Sequence, residues 1–319
     1  MINHILVPLD NSPLAECVLP HVVAIAQALH ARLTLLHILE NHQPDHESVT
    51  VDPVEWHLRK QKSEKYLEDL AHSLQDTELT IDHVVLEGPA AESIIEFART
   101  HTVDLIALST HGSSGVSAWN ISSVVQKILM RSYKSILLIR AYHQKSADPI
   151  HYKRMFVGLD LSNRAEYVLP LAMRLAQVHH SQLVLGTVIQ SPRISHRFPL
   201  SEPESQLIDQ ILEKNSQAAS HYFDQLVSQF SLNEVELDKE IIVGRNSVVA
   251  LHDTVEKTEA DLVLLVAHGD SGERRWPYGS VANSFIYYGN TPLIVLQDLH
   301  EGEFQPTHAE SAMKVGQGH

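Results

Sequence analysis

The stretch "ILVPLDNSPLAECVLPHVVAIAQAL", which begins at Ile5, returns as "MFVGLDLSNRAEYVLPLAMRLAQVH", which begins at Met155. Both segments carry an aspartate after the first apolar run, an Ala-Glu pair and a Val-Leu-Pro triplet, at an offset of 150 residues. Later segments repeat as well: "VDLIALSTHG" from Val103 matches "ADLVLLVAHG" from Ala260 at an offset of 157. A repeat of this length and order indicates two copies of one domain in a single chain.

Each copy alternates short apolar runs with longer amphipathic stretches. Near-continuous runs of Val, Ile and Leu are typical of strands covered on both faces, and their alternation with helices predicts a parallel sheet with right-handed crossovers. We therefore predict an α/β fold of two tandem doubly wound domains, each a five-stranded parallel sheet in the order 3-2-1-4-5 flanked by helices. Strands of the first copy are expected near Ile5–Pro8, Arg32–Leu39, Thr80–Leu86, Leu105–Ser109 and Ile136–Ile139. Its helices are expected near Pro13–Leu29, Pro53–Leu74, Ala90–Thr100 and Ser122–Arg131, and the second copy is expected to have a longer second helix near Glu204–Phe230.

Domain boundaries follow from the same pattern. The polar stretch "AYHQKSADPIHYK", Ala141 to Lys153, is the predicted linker, so the domains cover residues 1–141 and 152–298. Residues 299–319 lack apolar periodicity and are predicted to form a flexible tail. The terminal strands "SILLIR" and "PLIVLQ" are edges that pairing between the copies would cover. We expect each copy to have its own core and the two to pack across a pseudo-twofold axis.

Composition narrows the class of protein. The chain has 319 residues, of which 44% are hydrophobic and 20% charged, as in a soluble protein long enough for two cores. No apolar run approaches the roughly 20 residues of a membrane span, and no signal peptide is evident. The single cysteine, Cys17, fits a reducing cytoplasm. A net charge of -15 argues against non-specific binding of nucleic acid.

Candidate site residues lie at predicted strand ends. In a doubly wound sheet, ligands collect at the carboxyl ends of the strands where the strand order reverses. There the first strand of each copy ends at Asp10 or Asp160, and the fourth ends in "STHGSSG" or "VAHGDSG". A glycine-rich turn that leads into a helix N-terminus is suited to hold an anion, because backbone amides can approach it. Arg274 and Arg275 would add positive charge in the second copy.

Structural alternatives exist for these residues. The aspartates would alternatively cap the following helices, which Ser12 and Ser162 are also predicted to cap. The glycines Gly112 and Gly269 would equally serve turns that need a positive φ, and the two arginines would equally be a solvated pair. His111 and His268 are interpreted as loop packing, because no nucleophile with a partner acid is evident beside them. The pairs His42 with His46 and His179 with His180 have no recognisable ligand spacing, so no dedicated metal site is predicted.

These motifs make the chain resemble a tandem universal stress protein. Nucleotide-binding members of that family carry the pattern G, two residues, G, nine residues, G, then Ser or Thr. Gly112 and Gly269 match the middle glycine, and the closing pair is Ser122-Ser123 in the first copy and Gly279-Ser280 in the second. The first glycine of the pattern is Ser109 in one copy and Val266 in the other. The second copy therefore keeps two of the three glycines and the first copy keeps one.

The resemblance implies a regulatory protein of the stress response that binds ATP, better in the second copy than in the first. It places the aspartates near the ribose and triphosphate, strand-two backbone against adenine, and the amides of Gly279 and Ser280 on the phosphates. An Mg²⁺ or Mn²⁺ ion would accompany the nucleotide. The implied site residues are Asp160, Val188, Gly269, Gly279 and Ser280, with Asp10, Ile38, Gly112 and Ser123 in the first copy.

Two other functions stay open at this point. The chain would alternatively be a nucleotide-free scaffold, with a homodimer or another protein as its partner. An adenine-nucleotide hydrolase is disfavoured, since no additional catalytic set accompanies the loops.

Overall fold

The computed structural model describes residues 2–40, 53–74, 77–112, 121–141, 149–192, 201–230, 235–270 and 276–299. Several sequence expectations lie outside these ranges: most of the linker, the tail from residue 300 onward, His42, His46, Arg274 and Arg275. Below, the first half means residues 1–141 and the second half residues 152–298.

Strands and helices alternate through both halves. The elements of the first half are β1 (His4–Pro8), α1 (Leu19–Leu29), β2 (Arg32–Leu39), α2 (Pro53–Ser73), β3 (Ile81–Glu87), α3 (Ala90–Thr100), β4 (Leu105–Ser109), α4 (Ser123–Arg131) and β5 (Ser135–Ile139). Those of the second half are β6 (Arg154–Gly158), α5 (Leu169–His179), β7 (Gln182–Gln190), α6 (Glu202–Phe230), β8 (Leu237–Gly244), α7 (Ser247–Lys257), β9 (Leu262–Val266), α8 (Ser280–Tyr288) and β10 (Leu293–Leu296).

The helix predicted near Pro13–Leu29 is divided in two. A 3-10 turn covers Ala15–Val18, and α1 begins only at Leu19. Pro20 falls in the first turn of α1, where a residue without an N–H is tolerated. The Ser12 hydroxyl accepts a hydrogen bond from the Ala15 amide at 3.1 Å, so it caps the 3-10 turn and not α1. The predicted helix caps at Ser12 and Ser162 are wrong in this respect, since the Ser162 hydroxyl accepts a bond from the Ala165 amide at 3.2 Å and likewise caps a 3-10 turn, Ala165–Val168.

All ten strands form one sheet in the order β3-β2-β1-β4-β5-β10-β9-β6-β7-β8. Within each half the strands are parallel and follow the predicted 3-2-1-4-5 order. At the centre β5 pairs with β10 antiparallel, with Leu138 opposite Leu293 and Leu137 opposite Ile294. The expectation that the two terminal strands cover each other is therefore confirmed, and the palindromic order relates the halves by an approximate twofold axis.

The expectation of one core for each half is wrong. Buried apolar residues form two clusters, and each cluster contains residues of both halves. One includes Ile25 on α1 and Leu175 on α5, while the other includes Ile128 on α4 and Phe285 on α8. The reason is the β5–β10 pairing: it makes a continuous sheet, so each face of that sheet carries one layer of helices across both halves.

Helices α1 and α5 meet across the twofold axis. The Nε of Arg174 on α5 donates to the carbonyl of Ala28 on α1 at 2.9 Å. The Tyr152 hydroxyl lies 2.9 Å from Nδ1 of His21 on α1. Tyr152 also packs edge-on against His179, so an aromatic and histidine-rich seam joins the halves on this face.

The seam makes stability depend on pH. Burial lowers the pKa of His179 from its ordinary value of 6.5, and the neighbouring His151, whose Nδ1 lies 3.2 Å from that of His179, lowers it further. The unfolded chain therefore takes up this proton before the folded protein does. Stability from His179 is fully present above pH 6.5 and is lost as the pH falls below it.

We predict that the free energy of unfolding, measured by urea denaturation, is lower at about pH 5.5 than at about pH 7.5. His179→Gln should reduce that difference, because glutamine does not titrate. His57→Gln, on the exposed face of α2, is the control and should leave the pH dependence unchanged. An equal pH dependence in the parent and His179→Gln would contradict the assignment.

Candidate functional site

A cleft of about 1080 Å³ opens at the carboxyl ends of β6, β7 and β9. Strand β6 lies between β7 and β9, so this is the point where the strand order of the second half reverses. Such reversal points are where doubly wound sheets bind ligands. The structure brings five sequence-predicted residues together in the wall of the cleft: Asp160, Val188, Gly269, Gly279 and Ser280.

Asp160 joins two loops of the cleft. Its Oδ1 accepts hydrogen bonds from the amide of Ser162 at 3.1 Å and from the hydroxyl of the same residue at 2.6 Å. Its Oδ2 accepts a bond from the amide of Asp270 at 2.7 Å. One carboxylate thus ties the loop after β6 to the loop after β9, and holds Ser162 in place to cap the 3-10 turn.

Gly269 is required by the position of that carboxylate. A Cβ added to Gly269 would overlap the carboxylate of Asp160, and a Cβ added to Gly112 would overlap that of Asp10. Neither glycine has a positive φ, so the alternative interpretation as a left-handed turn is wrong. The aspartate and the glycine that the sequence predicts in each copy are therefore one structural pair.

The N-terminus of α8 faces the cleft with Gly279 as its N-cap. The amide of Gly279 donates to the carbonyl of Ala267 at 2.7 Å, so it is already engaged. Because glycine has no side chain, no side-chain acceptor caps the amides of the first helical turn, which begins at Ser280. These amides and the dipole of the helix are suited to an anion.

His268 holds the segment that precedes α8. The ring is buried after β9, with Nδ1 at 2.8 Å from Oδ1 of Asp298 and Nε2 at 2.6 Å from the carbonyl of Trp276. The ring thus lies between a carboxylate and a backbone carbonyl, one at each nitrogen. Asp298 is buried too and forms an ion pair with Arg164. His268 therefore packs in the loop, as predicted, and its bond to Trp276 fixes the segment that leads into α8.

Two amide side chains fix the same segment. The Nε2 of Gln297 donates to the carbonyl of Pro277 at 3.0 Å, and the Nδ2 of Asn283 donates to that of Tyr278 at 2.8 Å. With His268, they bind three consecutive carbonyls ahead of α8. Asp298, Gln297 and Arg164 were not predicted from the sequence. The available signal was that these positions differ between the copies, where Ala141, Arg140 and Leu14 stand.

The far end of the cleft lies along β7. The β6–β7 pairing ends at Gly186, whose carbonyl accepts from the amide of Leu159 at 2.9 Å. Strand residues two apart point their backbone groups the same way, so the N–H and C=O of Val188 face the side on which β6 has ended. Gln190, whose Nε2 donates to the Ser247 hydroxyl at 3.2 Å, lines the same end of the cleft.

The first half places its predicted residues at equivalent strand ends. Asp10 follows β1 and accepts bonds from the amide and hydroxyl of Ser12 at 3.1 and 2.5 Å. Ile38 lies on β2, Gly112 follows β4, and Ser123 opens α4. The loop of residues 113–120 lies outside the described residues.

The helix starts of the two halves differ. Ser122 is the N-cap of α4, and its hydroxyl accepts a bond from the amide of Val125 at 3.3 Å. At the equivalent place in α8, Gly279 offers no such acceptor. His111 also lacks the partners of His268, because its Nε2 is buried without a hydrogen-bond partner among the described residues.

In the part of the chain that the structure describes, no group of three or more His, Cys, Asp or Glu side chains has the arrangement of a metal site. Among the same residues, no helix combines the length and apolar character of a membrane span.

The chain is similar to known proteins in sequence and in fold. The profile of the Universal stress protein family matches residues 1–140 and 151–297. Universal stress protein MJ0577 of Methanocaldococcus jannaschii is 23% identical over 155 residues, which are 44% of this chain and 96% of that protein.

Two solved structures match across both halves. A universal stress protein from Archaeoglobus fulgidus superposes with a TM-score of 0.62 at 16% identity, covering 94% of this chain and all of that one. A putative universal stress protein from Pseudomonas aeruginosa gives the same TM-score and identity, covering 92% and 93%. At these identities the likeness concerns the fold.

The Asp160–Gly269 pair generates a prediction of stability. Gly269→Ala would drive a methyl group into the carboxylate, so we expect a loss of about 1–3 kcal/mol in the free energy of unfolding. Gly112→Ala should cost a similar amount in the first half. Gly244→Ala is the control, because its added Cβ meets ordinary contacts from 3.4 Å outward. Denaturation curves of the three variants provide the check, and a Gly269→Ala protein as stable as Gly244→Ala would refute the pairing.

Proposed function

The chain belongs to the universal stress protein family, and from that premise we propose that its second half binds an adenine nucleotide, ATP, as the basis of a regulatory role in the stress response. The triphosphate would lie at the N-terminus of α8 and the adenine at the end of β7. The observation that carries the proposal is the helix start of α8, which faces the cleft without a capping side chain.

Anion binding at α8 suits an acidic protein. Among the described residues that line the cleft there is no lysine or arginine, but backbone amides at a helix N-terminus bind anions without any basic side chain. The segment ahead of the helix is fixed through the carbonyls of Trp276, Pro277 and Tyr278. Donors that are held in place before the ligand arrives lose little entropy on binding.

The negative charge of Asp160 means that a triphosphate in the cleft would require a cation beside it. Its carboxylate lies beside Gly269 at the same end of the cleft, where it would repel a triphosphate. An Mg²⁺ or Mn²⁺ ion carried by the nucleotide would offset that repulsion, since both favour phosphate and carboxylate oxygens. Asp160 would otherwise face the ribose, whose hydroxyls are donors to a carboxylate.

Adenine recognition would fall to the backbone of Val188. Its N–H and C=O face the open side of β7, and one donor with one acceptor matches the edge of an adenine ring. Val188 and Leu251 supply the apolar contact, and Gln190 closes the cleft at this end.

The second half should bind more tightly than the first. In the first half Ser122 already satisfies an amide of α4, so a phosphate would have to displace the serine hydroxyl. In the second half Gly279 leaves the amides of α8 for the ligand. The cytoplasmic location and a homodimer or protein partner stay predictions, and none of them is needed for this site.

The helix start provides the test. Gly279→Ser should cap α8 as Ser122 caps α4 and so compete with phosphate, while Gly279→Ala adds the same Cβ, 3.2 Å from the Ala267 carbonyl, without a hydroxyl. A serine cap is worth about 1 kcal/mol, so calorimetry with Mg²⁺ and ATP should show about fivefold weaker binding for the serine variant than for the alanine variant.

Three results would change the conclusion. Equal affinities of the two variants would mean that α8 does not bind the phosphates. A parent protein that binds no nucleotide at millimolar ATP would favour the scaffold function. Rapid release of phosphate from bound ATP would favour a hydrolase.

A further inference from the structure

Helix α8 of the second half is held at both ends by the first half. We propose that Arg140 of the first half is a positioning residue for the nucleotide site of the second half, so that the first half serves as a support for that site. The inference rests on the proposed function for its ligand, but its structural content concerns α8 itself.

Arg140 caps the C-terminus of α8. The arginine is buried just after β5, and its Nε donates to the carbonyl of Gly289 at 2.6 Å. Its Nη2 donates to the carbonyl of Ile286 at 2.8 Å and, at the longer distance of 3.5 Å, to that of Phe285. The last carbonyls of a helix have no partner within the helix, and a cation beside them is favoured by the helix dipole. A single guanidinium from the other half meets both needs.

The opposite end of α8 is also anchored across the twofold axis. Tyr278, buried just before the helix, donates its hydroxyl hydrogen to the carbonyl of Lys134 at 3.0 Å. The backbone amide of Gln297 donates to the Ser135 hydroxyl at 3.1 Å, and the side chain of the same residue holds the carbonyl of Pro277. Met130 on α4 lines the cleft itself. The first half therefore contacts the helix, the segment ahead of it and the cleft.

The side chain of Gln297, unlike that of Arg140, binds within its own half. It stands in the repeat where Arg140 stands in the first half, but its side chain amide binds a carbonyl of its own half. One copy has an arginine that reaches across to the other copy's helix, whereas the other copy uses the same position to fix its own loop. The residues that follow β5 and β10 therefore have different roles: Arg140 contacts the other half, and the side chain of Gln297 contacts its own half.

The consequence for binding follows from helix rigidity. A helix of nine residues is about 14 Å long and moves as a rod. Removing Arg140 leaves buried carbonyls without donors and releases one end of the rod. The amides at the other end are directional donors, so a small tilt of α8 weakens their bonds to phosphate.

The test compares Arg140→Met with two controls. Arg174→Met removes the arginine that bonds the Ala28 carbonyl across the same twofold axis, on the other face of the sheet and away from α8. Ile25→Val removes a buried methylene in α1 and controls for general loss of stability. We expect Arg140→Met to weaken ATP binding about threefold to tenfold, to leave the cleft residues chemically intact, and to differ from both controls, which should bind like the parent. Arg140→Lys should restore part of the loss, because it keeps the charge with fewer donors.

Hydrogen exchange separates this inference from the proposed function. In the absence of nucleotide, the hydrogen-bonded amides of α8 should exchange faster in Arg140→Met than in the parent, and should not change in either control. The effect should include Asn283 near the N-terminal end, whose amide donates to the Gly279 carbonyl at 2.9 Å, as well as the C-terminal end. If the parent binds no ATP but this exchange pattern appears, the proposed ligand is wrong and the positioning role stands. If α8 exchanges alike in Arg140→Met and the parent, or if Arg174→Met has the same effect, the positioning role is refuted.

Discussion

The antiparallel pairing of β5 with β10 is the interaction on which the rest of the structure depends. An unpaired terminal strand would expose a row of backbone donors and acceptors, and the pairing satisfies them while it fuses two five-stranded sheets into one. Since the sheet is continuous, each of its faces carries one apolar layer through both halves. The same pairing brings the end of β5 to the C-terminus of α8, and so places Arg140 where it can act on the other half.

For the proposed anion, this acidic chain would offer backbone donors at the start of α8. Those donors come from the helix start, and buried side chains hold the loop ahead of it. His268 and Gln297 fix the loop from behind through Trp276 and Pro277. Behind this loop, the Asp298 carboxylate lies between the His268 ring and the Arg164 guanidinium. A buried carboxylate costs less free energy when an opposite charge lies beside it, and Arg164 supplies that charge.

Much of this arrangement could be predicted from the sequence, because it follows from local patterns. Apolar runs fix the strands, and the parallel order brings Asp160 and Gly269 to the same edge of the sheet. The shared core could not be predicted, since an apolar strand has the same pattern whichever strand is its neighbour. The His268–Asp298 contact joins residues 30 apart on different elements, so no spacing rule indicates it. The division of the first helix at Leu19 depended on one proline inside an otherwise regular pattern.

The two halves differ at the N-cap position of the helix after the fourth strand, which is Ser122 in the first half and Gly279 in the second. A serine cap stabilises the helix that follows it by about 1 kcal/mol relative to a residue without an acceptor, and Ser122 gives α4 such a cap. Helix α8 has no such cap, and its amides are satisfied only when something else supplies the acceptor. Instead, α8 is held by contacts with the first half. Arg140 binds a carbonyl at its C-terminal end, and Tyr278, just ahead of its N-terminal end, donates to the carbonyl of Lys134. In the proposed function, the open helix start in the second copy would receive the ligand, and the first copy would support that helix through Arg140.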